Sequence, residues 1–207
     1  MIKYTCIIDT CSFVNLTLFE FNQGTLLDLL REKVNIKYSS EVHRIEIPNH
    51  YNELMPSREQ RINYMYPPQR LSCSEYERRL FGSNEPRINR NKGEKDNLSV
   101  IIDIFLTKKT KGLVFLTDDY KALRGCLNPQ VFSFPLYQIW NSFDVIIYLY
   151  IDHKFFTKDL AIAAVRKLNS ELAVDNPKMN KEKSRLFQER FYSYLTRIET
   201  VSKILKR

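Results

Sequence analysis

Six acidic residues in this 207-residue chain, Asp9, Glu41, Glu94, Asp96, Asp118 and Asp119, stand where carboxylates could do chemistry together. Asp9 follows the apolar run Cys6-Ile7-Ile8, and Asp118-Asp119 follow Thr117 at the end of the apolar run 113–116. Glu41 opens a helical stretch after Ser39-Ser40, and Glu94 and Asp96 open another after Gly93. Capping and the helix dipole account for any one acid at a helix start. They do not account for two acids placed at the ends of two buried strands. Carboxylates brought together repel one another, and some take up protons unless a cation neutralises them. Oxygen donors without a Cys or His partner select hard ions, so the expected cofactor is Mg²⁺ or Mn²⁺. Thr10, Ser12 and Thr117 adjoin these acids and are expected to orient them as hydroxyl donors. Glu94 and Asp96 lie about 200° apart on a helix at ~100° per residue, so only one of them can aim straight at a common site.

These acids need a scaffold that brings distant residues together. Residues 2–9 read as a buried strand, 34–38 as a short strand, 113–116 as a parallel-sheet strand and 131–134 as another small strand. Between them lie helical patterns: Phe13 to Phe19, Leu26 to Leu30, a helix opened by Glu41 and closed near Pro48, and residues 94–109 with Leu98, Ile101, Ile102 and Phe105 on one stripe. A short helix through Ala122 and Leu123 and an apolar helix from Pro135 to about Tyr150 follow. Strands alternating with helices imply a mainly parallel, doubly wound sheet, whose ligands bind at the carboxyl ends of the strands. The expected division is a domain of residues 1–152, interrupted by an insertion at about 55–92, and a helical C-terminal extension of residues 153–207. In that extension Phe187, Phe191, Tyr194, Ile198, Val201 and Leu205 repeat in a heptad-like seam, which would dock on its own domain, a second copy or a protein partner.

Charge and cysteines narrow the class. The net charge of +8 sits mostly in residues 153–207, where 13 Lys+Arg face 6 Asp+Glu. An acidic centre flanked by basic segments suits an enzyme that holds cations in its site and polyanions around it. Cys6, Cys11, Cys73 and Cys126 form no CxxC pair, which argues against a zinc knuckle or a disulfide framework and for a reducing cytoplasm. The longest apolar stretch, residues 143–151, is too short to span a bilayer, so no membrane association is expected.

Ile7-Ile8-Asp9-Thr10 with Ser12, Ser40-Glu41, Gly93-Glu94-Lys95-Asp96-Asn97-Leu98, and Leu116-Thr117-Asp118-Asp119-Tyr120 resemble, in order, the four acidic motifs of PIN-domain nucleases. The resemblance covers roughly residues 1–150. It implies a three-layer α/β fold, a carboxylate cluster holding one or two Mg²⁺ or Mn²⁺ ions, and endonucleolytic cleavage of single-stranded or structured RNA that leaves a 5′-phosphate and a 3′-hydroxyl. Asp9, Glu41, Asp96 and Asp119 match the family's four acids, with Glu94 and Asp118 as neighbouring ligands. The chain departs from the compact toxin members in its 55–92 insertion and its long C-terminal helices.

In the insertion, Arg70, Arg78, Arg79, Arg87 and Arg90 could contact phosphates of RNA or DNA, and Tyr64, Tyr66 and Tyr76 could stack on bases. The competing function is a catalytically inactive PIN-like scaffold that docks through its heptad helix. A phosphatase with Asp9 as nucleophile is disfavoured, because the second Asp such haloacid-dehalogenase-type enzymes carry is replaced by Cys11.

Overall fold

A computed structural model describes residues 4–21, 24–39, 41–47, 92–107, 112–119, 137–152, 156–174 and 181–205. The insertion at 55–92, the expected strand at 131–134 and the helix through Ala122 lie outside the described residues. The chain is mixed α/β and forms two compact units, Met1–Val14 with Arg31–Trp140 and Asn15–Leu30 with Asn141–Arg207. The expected extension of residues 153–207 lies wholly in the second unit, together with residues 15–30 and 141–152.

The first unit is built on a four-stranded sheet of β1 (Thr5–Ile8), β4 (Asn35–Lys37), β5 (Leu113–Leu116) and β6 (Gln138–Trp140), in the order β4-β1-β5-β6. Every pairing in it is parallel. Strands β1 and β5 are buried along their whole length, as expected of central strands covered on both faces. The helix α3 (Lys92–Thr107) lays Leu98, Val100, Ile101 and Ile104 against Ile7, Leu113 and Phe115. Each such side chain taken from water stabilises the fold by about 1.5–3 kcal/mol.

Leu98 and Ile101 of the expected stripe of α3 are buried, but the buried face extends to the other side of them rather than toward Ile102 and Phe105. Asn97, Val100, Ile101 and Ile104 are fully buried at spacings i, i+3, i+4 and i+7, whereas Phe105 is 46% exposed. A polar residue at the head of this stripe disguised its extent. After β4 the chain makes a π-helical turn, Val42–Glu46, in which the Ile47 N–H donates to the Val42 carbonyl. Ser39 Oγ accepts a hydrogen bond from the Val42 N–H at 3.3 Å, so the Ser39 hydroxyl caps this turn as the Ser39-Ser40 pattern suggested. On the other side of β4, Tyr38 meets Phe13 of α1 (Thr10–Thr17) edge to face, with ring centroids 5.8 Å apart.

The second unit contains a short antiparallel pair, β2 (Glu20–Phe21) and β3 (Gly24–Thr25), which the hydrophobic pattern did not reveal. Gly24 takes φ +117°, a conformation that favours glycine. Thr25 then caps α2 (Leu26–Lys33): its N–H and hydroxyl donate to Asp28 Oδ2 at 2.8 and 2.9 Å, and the Asp28 N–H donates back to its hydroxyl at 3.2 Å. Three further helices complete the unit: α4 (Ser142–Asp152), α5 (Lys158–Val174) and α6 (Lys181–Leu205). Of the α6 seam, Tyr194 and Ile198 are buried where α6 packs on α4 and α5, while Phe191, Val201 and Leu205 are part-buried. No helix among the described residues is long and apolar enough to cross a membrane.

The apolar helix expected from Pro135 starts later, and residues 138–140 form β6 instead. Asn141 sets the boundary. Its side-chain oxygen accepts the N–H groups of Phe143 and Asp144 at 2.9 and 3.1 Å, while Asp144 Oδ2 accepts the Asn141 N–H at 3.0 Å. This reciprocal cap fixes the start of α4 and frees the three residues before it to join the sheet. Replacing Asn141 with Ala is expected to lower stability by about 1–2 kcal/mol, read as a lower urea midpoint with an unchanged slope. An unchanged midpoint would show that the cap does not hold this junction.

Candidate functional site

Asp9 sits between the last residue of β1 and the first of α1. Its N–H donates to the Leu116 carbonyl at 2.9 Å, which extends the β1–β5 ladder, and its carbonyl accepts the first helical bond, from Phe13 N–H, at 2.9 Å. The carboxylate is thus fixed at its root by the strand and the helix together. Asp9 is buried, and both of its oxygens are engaged. Oδ1 accepts the Thr10 N–H and Oδ2 accepts the Thr117 hydroxyl, each at 2.8 Å.

Thr117 does the same work at the tip of β5. Its N–H donates to the Trp140 carbonyl at 3.0 Å, and its hydroxyl, besides donating to Asp9, accepts the Asp119 N–H at 3.2 Å. Asp118 is held separately, its Oδ2 accepting the Ser12 hydroxyl at 2.9 Å. All three hydroxyl residues singled out in the sequence therefore bind acidic residues, and Thr10 does so in an unexpected way. Its hydroxyl donates to Glu46 Oε2 at 2.6 Å.

Glu46 is the residue the sequence reading missed. At ~100° per residue, five steps separate Glu41 and Glu46 by about 140° on an α-helix. The i→i+5 closure of a π-turn instead stacks residues five apart on one face. Glu46 is therefore presented toward Thr10, one residue from Asp9. Gly93 makes room for it, since a Cβ at that position would overlap the Glu46 carboxylate. The only sequence signal was an acid between two isoleucines, Ile45 and Ile47, on an otherwise apolar helical pattern.

Glu41 and Asp96 meet through the backbone: the Glu41 N–H donates to Asp96 Oδ2 at 2.9 Å. Asp96 lies one turn after Gly93 on α3, so it shares the face that approaches the π-turn. The backbone of Glu94 belongs to the first turn of α3, but its side chain lies outside the described residues, as do Arg70, Arg78, Arg79, Arg87 and Arg90. Beside Asp96, the fully buried Asn97 has neither amide atom paired among the described residues. A buried amide in that state costs about 1–3 kcal/mol unless a water or another group satisfies it.

Cys11 reports the electrostatics of this region. The residue keeps exposed surface, yet crowding around its sulfur removes hydration and raises the thiol pKa, and the carboxylates of Asp9, Asp119, Asp118 and Glu46 raise it further. Four acids from β1, β5 and the π-turn thus act on one point at the carboxyl end of the sheet. These acids offer oxygen donors, which suit Mg²⁺ or Mn²⁺ in chemical type. Among the described residues no three acidic, Cys or His side chains form a ready-made ligand group. The carboxylates of Asp9, Glu46 and Asp118 are instead each tied to a neighbouring hydroxyl.

No family model matches the chain, and no curated protein or solved structure matches it either.

Thr117 carries the most connections of the three hydroxyls. Thr117→Val, which keeps the shape and removes the hydroxyl, is expected to cost about 1–3 kcal/mol by leaving Asp9 Oδ2 without its donor, while Thr117→Ser retains most of the stability. Equal urea midpoints for the two variants would show that the hydroxyl bridge contributes nothing.

Proposed function

We propose that this protein is a metal-dependent nuclease with a PIN-like catalytic unit, acting on phosphodiester bonds of RNA. The observation that carries this reading is the placement of Asp9 and of Asp118-Asp119 at the carboxyl ends of two adjoining parallel strands, with Glu46 hydrogen-bonded to Thr10 beside Asp9. Ligand sites of open parallel sheets form at this edge. Carboxylates placed at that edge are suited to cations and to the phosphates that cations carry.

In this proposal Asp9 is the central ligand, held in place by the Thr10 N–H and the Thr117 hydroxyl. Glu46 is a second ligand, steadied by Thr10, and Asp119 a third, its backbone pinned to Thr117. Asp118, held by Ser12, orients a water or completes the set. Asp96 braces the π-turn through the Glu41 N–H and so keeps Glu46 in place. A bound Mg²⁺ or Mn²⁺ supplies an activated water and neutralises charge that develops on the phosphate. Nothing in this chemistry uses the ribose 2′-hydroxyl, so DNA is a reasonable second substrate to assay.

The deciding experiment is cleavage of an end-labelled single-stranded RNA by the purified full chain in Mn²⁺, with EDTA and Asp9→Asn preparations alongside. Cleavage is expected in Mn²⁺ alone and should be lost in the variant. Glu46→Gln is expected to reduce cleavage at least about tenfold, the lower end of what disturbing a metal site's supports costs, whereas Glu41→Gln should leave it nearly unchanged. The reverse order would return the second acidic position to Glu41. Absence of cleavage on RNA and DNA, together with absence of carboxylate-dependent Mn²⁺ binding by calorimetry, would establish the scaffold reading instead.

A further inference from the structure

Arg190 and Arg197 lie seven residues apart on α6, two helical turns, and so rise from one face about 10 Å apart along the axis. Each guanidinium lies over an aromatic ring. Arg190 is 5.4 Å from the centroid of Phe143 and Arg197 is 4.9 Å from that of Tyr194. The two rings stack on each other, 5.0 Å apart and inclined by 23°. Both rings are buried, so the four side chains form a layered stack anchored in the interior of the second unit.

Two other cations described on these helices are matched by an acid. Lys158 pairs with Glu199 at 2.8 Å and Arg185 with Glu189 at 3.5 Å. Arg197 does approach Asp144, at 3.7 Å. That carboxylate is shared with two other donors, the Tyr194 hydroxyl at 2.7 Å on Oδ1 and the Asn141 N–H at 3.0 Å on Oδ2, so Arg197 is one of three groups it serves. A guanidinium has five N–H donors, and the Arg197 side chain remains 57% exposed. Stacking on a ring also restricts the arginine beforehand, so less side-chain freedom is lost when an anion binds.

We infer that the Arg190–Phe143–Tyr194–Arg197 stack grips the phosphate backbone of a single-stranded RNA. The assignment rests on the reading of the protein as a nuclease and adds where the polyanion is held. Planar guanidiniums fixed in position match phosphate oxygens bidentately. The surrounding segment supports the choice, since residues 153–207 carry 13 Lys+Arg against 6 Asp+Glu. Contacts of this kind position a nucleic acid and carry no sequence information, so the grip is expected to serve any base sequence.

The test measures fluorescence anisotropy of a labelled oligouridylate with the full chain in EDTA, across a range of salt, for the wild type and for Arg190→Gln/Arg197→Gln. A charge-matched control, Arg166→Gln/Lys203→Gln, removes two exposed cations elsewhere on the same unit, and thermal melts establish that all three proteins are folded. Loss of two phosphate contacts should reduce the slope of log K against log salt by about 1.4, so the stack variant binds roughly 25-fold more weakly at 0.1 M salt and converges with the wild type near 1 M. Should glutamine destabilise the stack, Arg190→Lys/Arg197→Lys keeps the charge and is expected to bind more tightly than the glutamine variant. A slope and affinity equal to the wild type's, or an equal loss in the control, would overturn the inference. So would binding to phosphatidylserine vesicles in place of RNA. Mn²⁺-dependent cleavage assayed on the same preparations separates the two claims. Cleavage with an unchanged slope removes the grip and keeps the nuclease, whereas a changed slope without cleavage keeps the grip and removes the nuclease.

Discussion

The hydroxyl of Thr117 ties the tips of β1 and β5 together, donating a hydrogen bond to Asp9 and accepting one from the Asp119 N–H. A buried carboxylate costs several kcal/mol when its oxygens are left bare, and Asp9 avoids that cost only because a backbone N–H and a hydroxyl each meet one oxygen. The arrangement depends on register. Ile8 pairs with Leu116, so the next residue on each strand, Asp9 and Thr117, emerges at the same level. A slip of one residue would send one of the two to the opposite face of the sheet. The buried apolar character of β1 and β5 fixes the register, and through it the chemistry at the strand ends.

The π-turn makes a second use of geometry. An α-helical Val42–Glu46 would turn Glu46 away from the face of Glu41, whereas the wider turn brings it to Thr10. Its neighbours accommodate this irregular turn at identifiable points: Ser39 caps it, Asp96 accepts the Glu41 N–H, and Gly93 leaves the volume that the Glu46 carboxylate fills. Removing any of these would leave a helix that can relax to the ordinary pitch. Such π-turns are uncommon and often occur at functional sites, which fits the concentration of carboxylates here.

The strands and the Asp9, Thr117 and Asp119 arrangement were legible because they depend on short-range signals: continuous apolar runs, each ending in a hydroxyl and an acid. The parallel sheet followed from the alternation of strands with helices, and β1, β4 and β5 fall within the expected ranges. The features that were not legible share a physical cause. Glu46 was hidden because periodicity was read at the α-helical pitch, and the face of α3 was only partly read because its buried stripe begins with Asn97. Strand β6 was absorbed into a helix because Gln138-Ile139-Trp140 has no period of its own, and only the cap at Asn141 marks the boundary. The pairing of β2 with β3 involves two residues on each strand, too few to generate any pattern.

Under the proposed function, acids at the end of the parallel sheet would repel a polyanion until a cation offset them, so attraction of a nucleic acid would have to come from charges elsewhere on the chain. The basic excess of residues 153–207 provides such charges, but an excess alone describes many solvated helices. What sets Arg190 and Arg197 apart is that the interior beneath them is built to hold them. Asn141 caps α4 and donates to the Tyr194 hydroxyl at 3.0 Å, Tyr194 donates to Asp144, and the Tyr194 ring lies flat on Phe143. A polar hub that starts α4 thereby also fixes the ring on which Arg197 rests.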